Sequence, residues 1–392
     1  MRSSNRPYLY PVDHLRAFAV VLVLLYHSTQ VVSQAADPVN GWSSTRWLHS
    51  DNPVTAVLFE GHTGVALFMV LSGFIFTTGT LDKDIAYWPF LRNRLLRIYP
   101  LYLLILMIGV TASTQPFDLS TFVRALLPLG SFGPNIIGGP WGGMFWAVAV
   151  EMQFYLVFPL LLRLLQRSGP LALIRLLVAV ATLRAMAWVL SPGALDMREL
   201  TYFSLVGRID QFLLGMLAGW WFLRRPSRRA ASAVLLGGVA AVLVLLQVFN
   251  ELGGMRTGAW WRVFWVDAEG LAWAAVVVGY TILLAQRSGR VSRAVAAVGE
   301  RSYSMYLLHF VIVVSVAAHP SWWIHVGGPV STAFVTGLVL VLPATVLLSV
   351  LMFAGVERPF LQMRGSYVRI GDAPAGAPSP RRASAVATSD RA

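Results

Sequence analysis

Ten apolar runs, each long enough to cross a bilayer, recur along the 392 residues, and no other feature limits the fold of this chain as strongly. In hydrocarbon every backbone N–H and C=O has to be paired within the protein, so an apolar run of about 20 residues must be helical. The runs fall at about 12–32, 58–80, 93–113, 144–165, 170–190, 201–223, 230–250, 264–286, 298–317 and 330–356. The weaker alternating pattern of an outer-membrane barrel is absent. The expectation is an all-α polytopic membrane protein with about ten transmembrane helices. Composition agrees: only 12% of the residues are charged, about half the share usual in a soluble domain.

A net charge of +13 raises the question of nucleic acid, and the placement of the arginines answers it. They gather in alternate connections: Arg2 and Arg6; Arg92, Arg94 and Arg97 beside Lys83; Arg163 and Arg167; "RRPSRR" at 224–229; Arg287, Arg290, Arg293 and Arg301; Arg358 and Arg364. The five intervening connections hold only Arg46, Arg124, Arg198, Arg256 and Arg262. This is the positive-inside pattern of a multi-pass protein of the inner (plasma) membrane with both termini cytoplasmic, and no nucleic-acid partner is expected. Residues 1–365 read as one transmembrane domain. The stretch 366–392, rich in Pro, Ala, Ser and Arg, reads as a disordered cytoplasmic tail. "GSFGPNIIGGPWGG" at 130–143 reads as an interfacial loop capping a cavity or as an ordinary irregular loop. No cleavable signal peptide is evident. The absence of cysteine excludes disulfides, thiolate metal sites and an acyl-cysteine intermediate.

Ionisable groups inside the runs are costly and need a reason. Among them are Arg16, His27, Glu151, Arg184, Arg208, Asp210, Asp267, Glu269 and His309. Arg184, Asp267 and Glu269 lie towards the ends of runs and read as structural ion pairs. Arg16 and His27 are eleven residues apart, which on a helix returns to almost the same face about 16 Å further along. "GMLAG" at 215–219 reads as close helix packing.

Seven motifs then occur in order: "VDHLRAFAVVLVLLYH" (12–27), "GVALFMVLSGF" (64–74), "FLRNRLLRIYPLY" (90–102), "FWAVAVEMQFYLVFPLLL" (145–162), "GRIDQFLLGMLAG" (207–219), "GERSYSMYLLH" (299–309) and "VERPF" (356–360). Together they resemble the acyltransferase-3 family of integral-membrane O-acyltransferases, from about residue 9 to residue 362. The resemblance implies transfer of an acyl group, acetyl by default, from a cytoplasmic acyl-CoA. The acceptor would be a hydroxyl of a cell-envelope sugar or lipid, or of a macrolide-type natural product. Carried over by motif, His27 is the catalytic base and Arg16 its partner in the Arg-x10-His pattern. Arg94 and Arg97 form the Arg-x-x-Arg element that serves the donor. Ser72 belongs to the Ser-Gly-Phe element and Glu151 with Phe154 to the Glu-x-x-Phe element, while Asp210 and His309 match supporting positions. Some members carry a further periplasmic hydrolase-like domain, of which this sequence shows none. "DHLRAF" stands where members often have "DGLRGI", which leaves His14 as an interfacial residue.

The chemistry suits those residue types. A hydroxyl attacks a thioester poorly until a base takes its proton, and a neutral imidazole serves near neutral pH. The other ring nitrogen needs an acceptor, for which Glu151 and Asp210 are the candidates. Arg92, Arg94 and Arg97 offer bidentate donors to the phosphates of coenzyme A, although cytoplasmic arginines also occur as ordinary topology signals. Ser72 reads either as helix packing or as a donor to the thioester oxyanion. No metal or bound cofactor is expected, acyl-CoA being a substrate. The rival class is a secondary transporter of a small polar solute, which would show related halves and broken helices at matching positions.

Overall fold

The computed structural model describes residues 8–368 apart from 40, 44–45, 115, 128–139, 191–196, 257–258 and 286–288. The loop expected at 130–143 therefore lies largely outside the described residues, as does the tail from 369 onwards. Ten principal helices coincide with the ten apolar runs: α1 (Tyr10–Ala36), α2 (Thr63–Thr80), α3 (Tyr87–Ala112), α4 (Phe145–Ser168), α5 (Pro170–Leu190), α6 (Leu205–Leu223), α7 (Arg228–Glu251), α8 (Arg262–Leu284), α9 (Ser302–Ala317) and α10 (Pro329–Gln362). Apart from two isolated β-bridges, the described residues hold no strand.

Eight of the ten are long and apolar enough to cross a membrane. The other two differ from expectation for physical reasons. Helix α6 has 19 residues, but its first turns carry Gly207, Arg208, Asp210 and Gln211, all buried against neighbouring helices and so never offered to lipid. Helix α9 has only 16 residues, about 24 Å of rise. A separate short helix, Arg290–Glu300, precedes it and crosses the start of α1, so closely that a Cβ on Gly299 would sit 1.8 Å from the Asp13 carbonyl oxygen.

Helix α1 is the axis of the bundle. It packs on α2, α9, the first half of α10 and the helix Arg290–Glu300, and Ala19, Val20, Val23 and Leu24 are wholly buried. His14 is buried too, its ring nitrogens 3.2 Å from the Tyr280 hydroxyl and 2.9 Å from the Ser292 carbonyl. It ties α1 to α8 and to the helix Arg290–Glu300 rather than lying free at an interface. Helices α2 and α6 meet through glycine: a Cβ on Gly73 would lie 2.1 Å from the Phe212 carbonyl oxygen, and one on Gly215 2.1 Å from that of Val70. The Gly-x-x-x-Gly reading of 215–219 describes this crossing. Two π-helical turns interrupt α10, Gly337–Val341 and Phe353–Glu357. Each lies just before a proline, Pro343 and Pro359, whose missing N–H and bulky ring widen the preceding turn.

At the far end of α1 the chain is clamped by Glu60. Its Oε1 accepts from Trp47 Nε1 at 2.5 Å and from Asn250 Nδ2 at 2.7 Å, and Oε2 is 3.1 Å from His62 Nε2. Burial pushes this carboxyl up to about 8, against the pull of its donors.

The α2–α6 crossing generates a prediction of opposite signs. Gly215→Ala should destabilise by about 1–3 kcal/mol through overpacking. Gly237→Ala, where a Cβ meets nothing within 4 Å, should leave stability unchanged or raise it, because alanine is the better helix former. Thermal melting in detergent micelles distinguishes the two.

Candidate active site

Arg16 and His27 lie on one stripe of α1, as their spacing requires, and each end of the stripe meets a different environment. At the His27 end the partner is another histidine. His27 Nδ1 is 3.1 Å from His309 Nε2 on α9, the ring centroids 5.2 Å apart. His309 is fully buried, and its Nδ1 lies 2.7 Å from the Tyr306 carbonyl and 3.2 Å from that of Met305. A carbonyl only accepts, so in the neutral ring His309 Nδ1 carries the hydrogen and Nε2 the lone pair. His27 must then donate through Nδ1, which leaves its own Nε2 as a lone pair. That is the tautomer of a general base. Tyr26 and Phe310 flank the His27 ring, at 5.0 and 5.3 Å between centroids, and His27 itself remains partly exposed.

This arrangement corrects the expectation that a carboxylate orients His27. Asp210 is paired with Arg184, which also reaches Asp267 at 2.6 Å and the Val263 carbonyl at 3.0 Å. The expected structural pairing of Arg184 and Asp267 is present, and Asp210 is part of it. Glu269 accepts from Gln211 at 2.9 Å and lies 3.7 Å from Arg208, again a structural group. Glu151 accepts hydrogen bonds on one oxygen from Ser72, at 2.9 Å, and from Tyr155. It stands with Arg16, not with His27. The Ser72 hydrogen is therefore committed to Glu151, which removes Ser72 as a ready donor to a thioester oxyanion.

Around Arg16 the structure opens a two-part cavity. A polar compartment of about 510 Å3, its mouth included, is lined by Arg16, Arg94, Arg97, Arg364, Glu151 and Tyr155 among others. An apolar one of about 590 Å3 shares Arg16, Ser72, Arg97 and Glu151 with it and continues past Val65, Phe68, Ile98 and Tyr303 to Tyr306. The Tyr306 ring lies 5.7 Å from that of His309, and its hydroxyl is buried with no hydrogen-bond partner. The cavity thus runs from the arginines towards the histidine pair.

The arginines are short of partners. Arg16 makes one long contact to Asp13, at 3.5 Å, and its Nε and that of Arg94 are buried without an acceptor. The Arg94 guanidinium lies instead over aromatic rings, 4.7 Å from the Phe76 centroid and 5.2 Å from that of Phe90. Arg94 and Arg97, three apart, share a face of α3. Arg92 does not: two residues from Arg94, it is turned away from the cavity and exposed. The expected grouping of Arg92 with Arg94 and Arg97 is therefore not the one the structure shows. Sequence reasoning missed Arg364, which read as a topology signal after the last run. It also missed Tyr155, which is Phe154's neighbour in the Glu-x-x-Phe element, and the orienting contact of His309. No group of three or more His, Asp or Glu able to hold a metal occurs among the described residues.

A family model described as an acyltransferase domain matches residues 9–354. The chain belongs to this acyltransferase family. Among its relatives are the O-acetyltransferase OatA of Staphylococcus aureus, 24% identical over 338 residues, and Nodulation protein 10 of Rhizobium leguminosarum bv. viciae, 25% identical over 408 residues. The first alignment covers 80% of this chain and 52% of OatA, so the chain spans about half the length of that relative. The second covers 91% of this chain and 94% of Nodulation protein 10. No solved structure matches the chain. All the cavity residues named above except Arg364 lie within the family match.

If the Arg184 cluster is structural, its members should behave accordingly. Arg184→Met should cost about 3–5 kcal/mol by stranding two carboxylates, read as a fall in melting temperature. Asp210→Asn should leave the pH dependence of turnover unchanged, the property that an orienting role at His27 would move.

Proposed function

We propose that the chain is a membrane O-acyltransferase that moves an acyl group, acetyl by default, from acyl-CoA to an acceptor hydroxyl, with His27 as general base. The observation that carries this reading is the joint arrangement of α1: an imidazole with a bare Nε2 at one end and guanidiniums short of partners at the other, with a cavity that leads from the guanidiniums to Tyr306, beside His309. In this reading the nucleotide's phosphates meet Arg94 and Arg97, whose planar forks suit them. The pantetheine arm follows the apolar compartment, and the thioester stops near the histidine pair.

The acceptor hydroxyl gives its proton to His27 Nε2 as its oxygen bonds to the thioester carbon. The carbonyl oxygen gains the negative charge, and Tyr306, which lines the cavity and whose buried hydroxyl has no partner, is the group proposed to receive it. Collapse of the tetrahedral intermediate breaks the C–S bond. The proton on His27 passes to the departing thiolate, which restores the base and releases coenzyme A. His309 is a positioning residue: through Nε2 it holds His27 in the reactive tautomer and shares the positive charge while the imidazolium lasts.

The charge pattern of the connections supports a plasma-membrane protein with both termini and the arginine end in the cytoplasm, where acyl-CoA is made. For the acceptor we retain a hydroxyl of a cell-envelope sugar or lipid, or of a macrolide-type product. The name O-acetyltransferase borne by the S. aureus relative supports acetyl as the group and oxygen as the acceptor atom.

Inside-out vesicles supplied with acetyl-CoA labelled in the acyl group test the proposal. His27→Ala at matched expression should lower release of label from coenzyme A by about 10²–10⁴-fold. His309→Phe should lower kcat at least about tenfold while leaving the donor KM within about twofold, and His309→Gln, whose carbonyl oxygen can accept from Nδ1, should recover part of that loss. Label release that persists undiminished in His27→Ala would overturn the assignment of the base.

A further inference from the structure

The last described residues fold back over the arginine end of the bundle. Gly365 exchanges two hydrogen bonds with Asn93: Asn93 Nδ2 donates to its carbonyl at 2.7 Å, and its own N–H donates to Asn93 Oδ1 at 3.2 Å. The Ala86 N–H donates to the Tyr367 carbonyl at 2.8 Å, and Ile85 and Val368 form an antiparallel bridge. Residues 363–368 are thus a strap joined to the start of α3, and the boundary expected at 366 between membrane domain and tail falls inside it. Tyr367 is buried, edge-on to Phe90 at 5.4 Å between centroids.

The strap brings Arg364 into the polar compartment beside Arg16, Arg94 and Arg97. Its Nε donates to the Leu361 carbonyl at 3.2 Å, which fixes the guanidinium plane and leaves the two terminal nitrogens for other partners. Four guanidiniums face one carboxylate, Glu151, and that carboxylate already accepts from Ser72 and Tyr155. Burial, together with the charges of Arg97 and Arg94, pulls Arg364 down to about 10. With Asp13 also meeting Arg16 at 3.5 Å, a surplus of two positive charges remains in a partly enclosed space and calls for an anion of matching charge. A single carboxylate leaves half of that surplus; a nucleotide with several phosphates does not.

We propose that Arg364 is a fourth phosphate-binding guanidinium of the donor site, and that the strap 363–368 is a wall of that site. The proposal rests on the reading of the arginine compartment as the acyl-CoA site. It adds a binding residue that lies beyond the segment 9–354 matched by the family. It also gives the Asn93 clasp a function: a buried asparagine on α3 sets the position of a side chain some 270 residues away.

The test is binding of coenzyme A to the full chain in nanodiscs, by calorimetry, with apo melting temperatures as the control for folding. Arg364→Gln should weaken binding about tenfold. Arg364→Lys, which keeps the charge and loses the fork, should fall between it and the unmodified protein. Asn93→Ala, which releases the strap, should weaken binding in the same direction. Unchanged affinity in Arg364→Gln, with affinity lost in Arg97→Gln, would overturn the role of the strap and keep the donor site. Equal losses in Arg364→Gln and Arg364→Lys would also overturn it, since a phosphate contact responds to retained charge. Failure of the unmodified protein to bind coenzyme A would instead remove the donor reading itself.

Discussion

A guanidinium near one end of α1 and an imidazole eleven residues along the same stripe cannot face hydrocarbon, and the surrounding helices are arranged to meet that demand. Helix α2 approaches through Gly64, where a Cβ would lie 2.6 Å from the Ala19 carbonyl oxygen, and α9 and α10 cover another side. Inserting charged groups costs several kcal/mol when they are left to lipid. Here the interior supplies two different solutions. The imidazole is held through Nδ1 by a second histidine, itself anchored on a backbone carbonyl. The guanidinium is left nearly alone, with a single contact at 3.5 Å, among other guanidiniums.

The contrast with the Arg184 cluster sharpens this. Arg184, a buried side chain, has two carboxylates and a carbonyl around it. A buried cation whose role is architectural is neutralised in this way. Arg94 and Arg97 are not, and Arg94 settles for aromatic faces. The same residue type therefore stands in two environments in the same bundle, and the presence or absence of an acidic partner separates them.

Much of this was legible in the sequence. The ten runs mark the ten principal helices because hydrocarbon leaves the backbone no alternative to helix. The Arg16–His27 stripe follows from helical period alone, and the crossing at Gly215 from the small-residue pattern. What the sequence could not supply was pairing between distant segments. Asp210 and Glu151 both looked able to orient His27, since a single sequence does not say which helices are neighbours. The acceptor proved to be His309, 282 positions away. Arg92 and Arg94 looked equivalent as charges and differ by the rotation of α3. Arg364 looked like a topology signal because nothing local announces that Gly365 will be clasped by Asn93.

The proposed function requires a donor to pass through the cavity from the arginines to His27. An experimental structure of the protein in nanodiscs, determined with a non-transferable thioether analogue of acetyl-CoA, addresses it most directly. The account predicts the phosphates against Arg94 and Arg97, the pantetheine arm between Phe68 and Tyr303, and the acyl end within reach of His27 Nε2. A nucleotide seated elsewhere, or an arm that never enters the compartment lined by Tyr306, would contradict it.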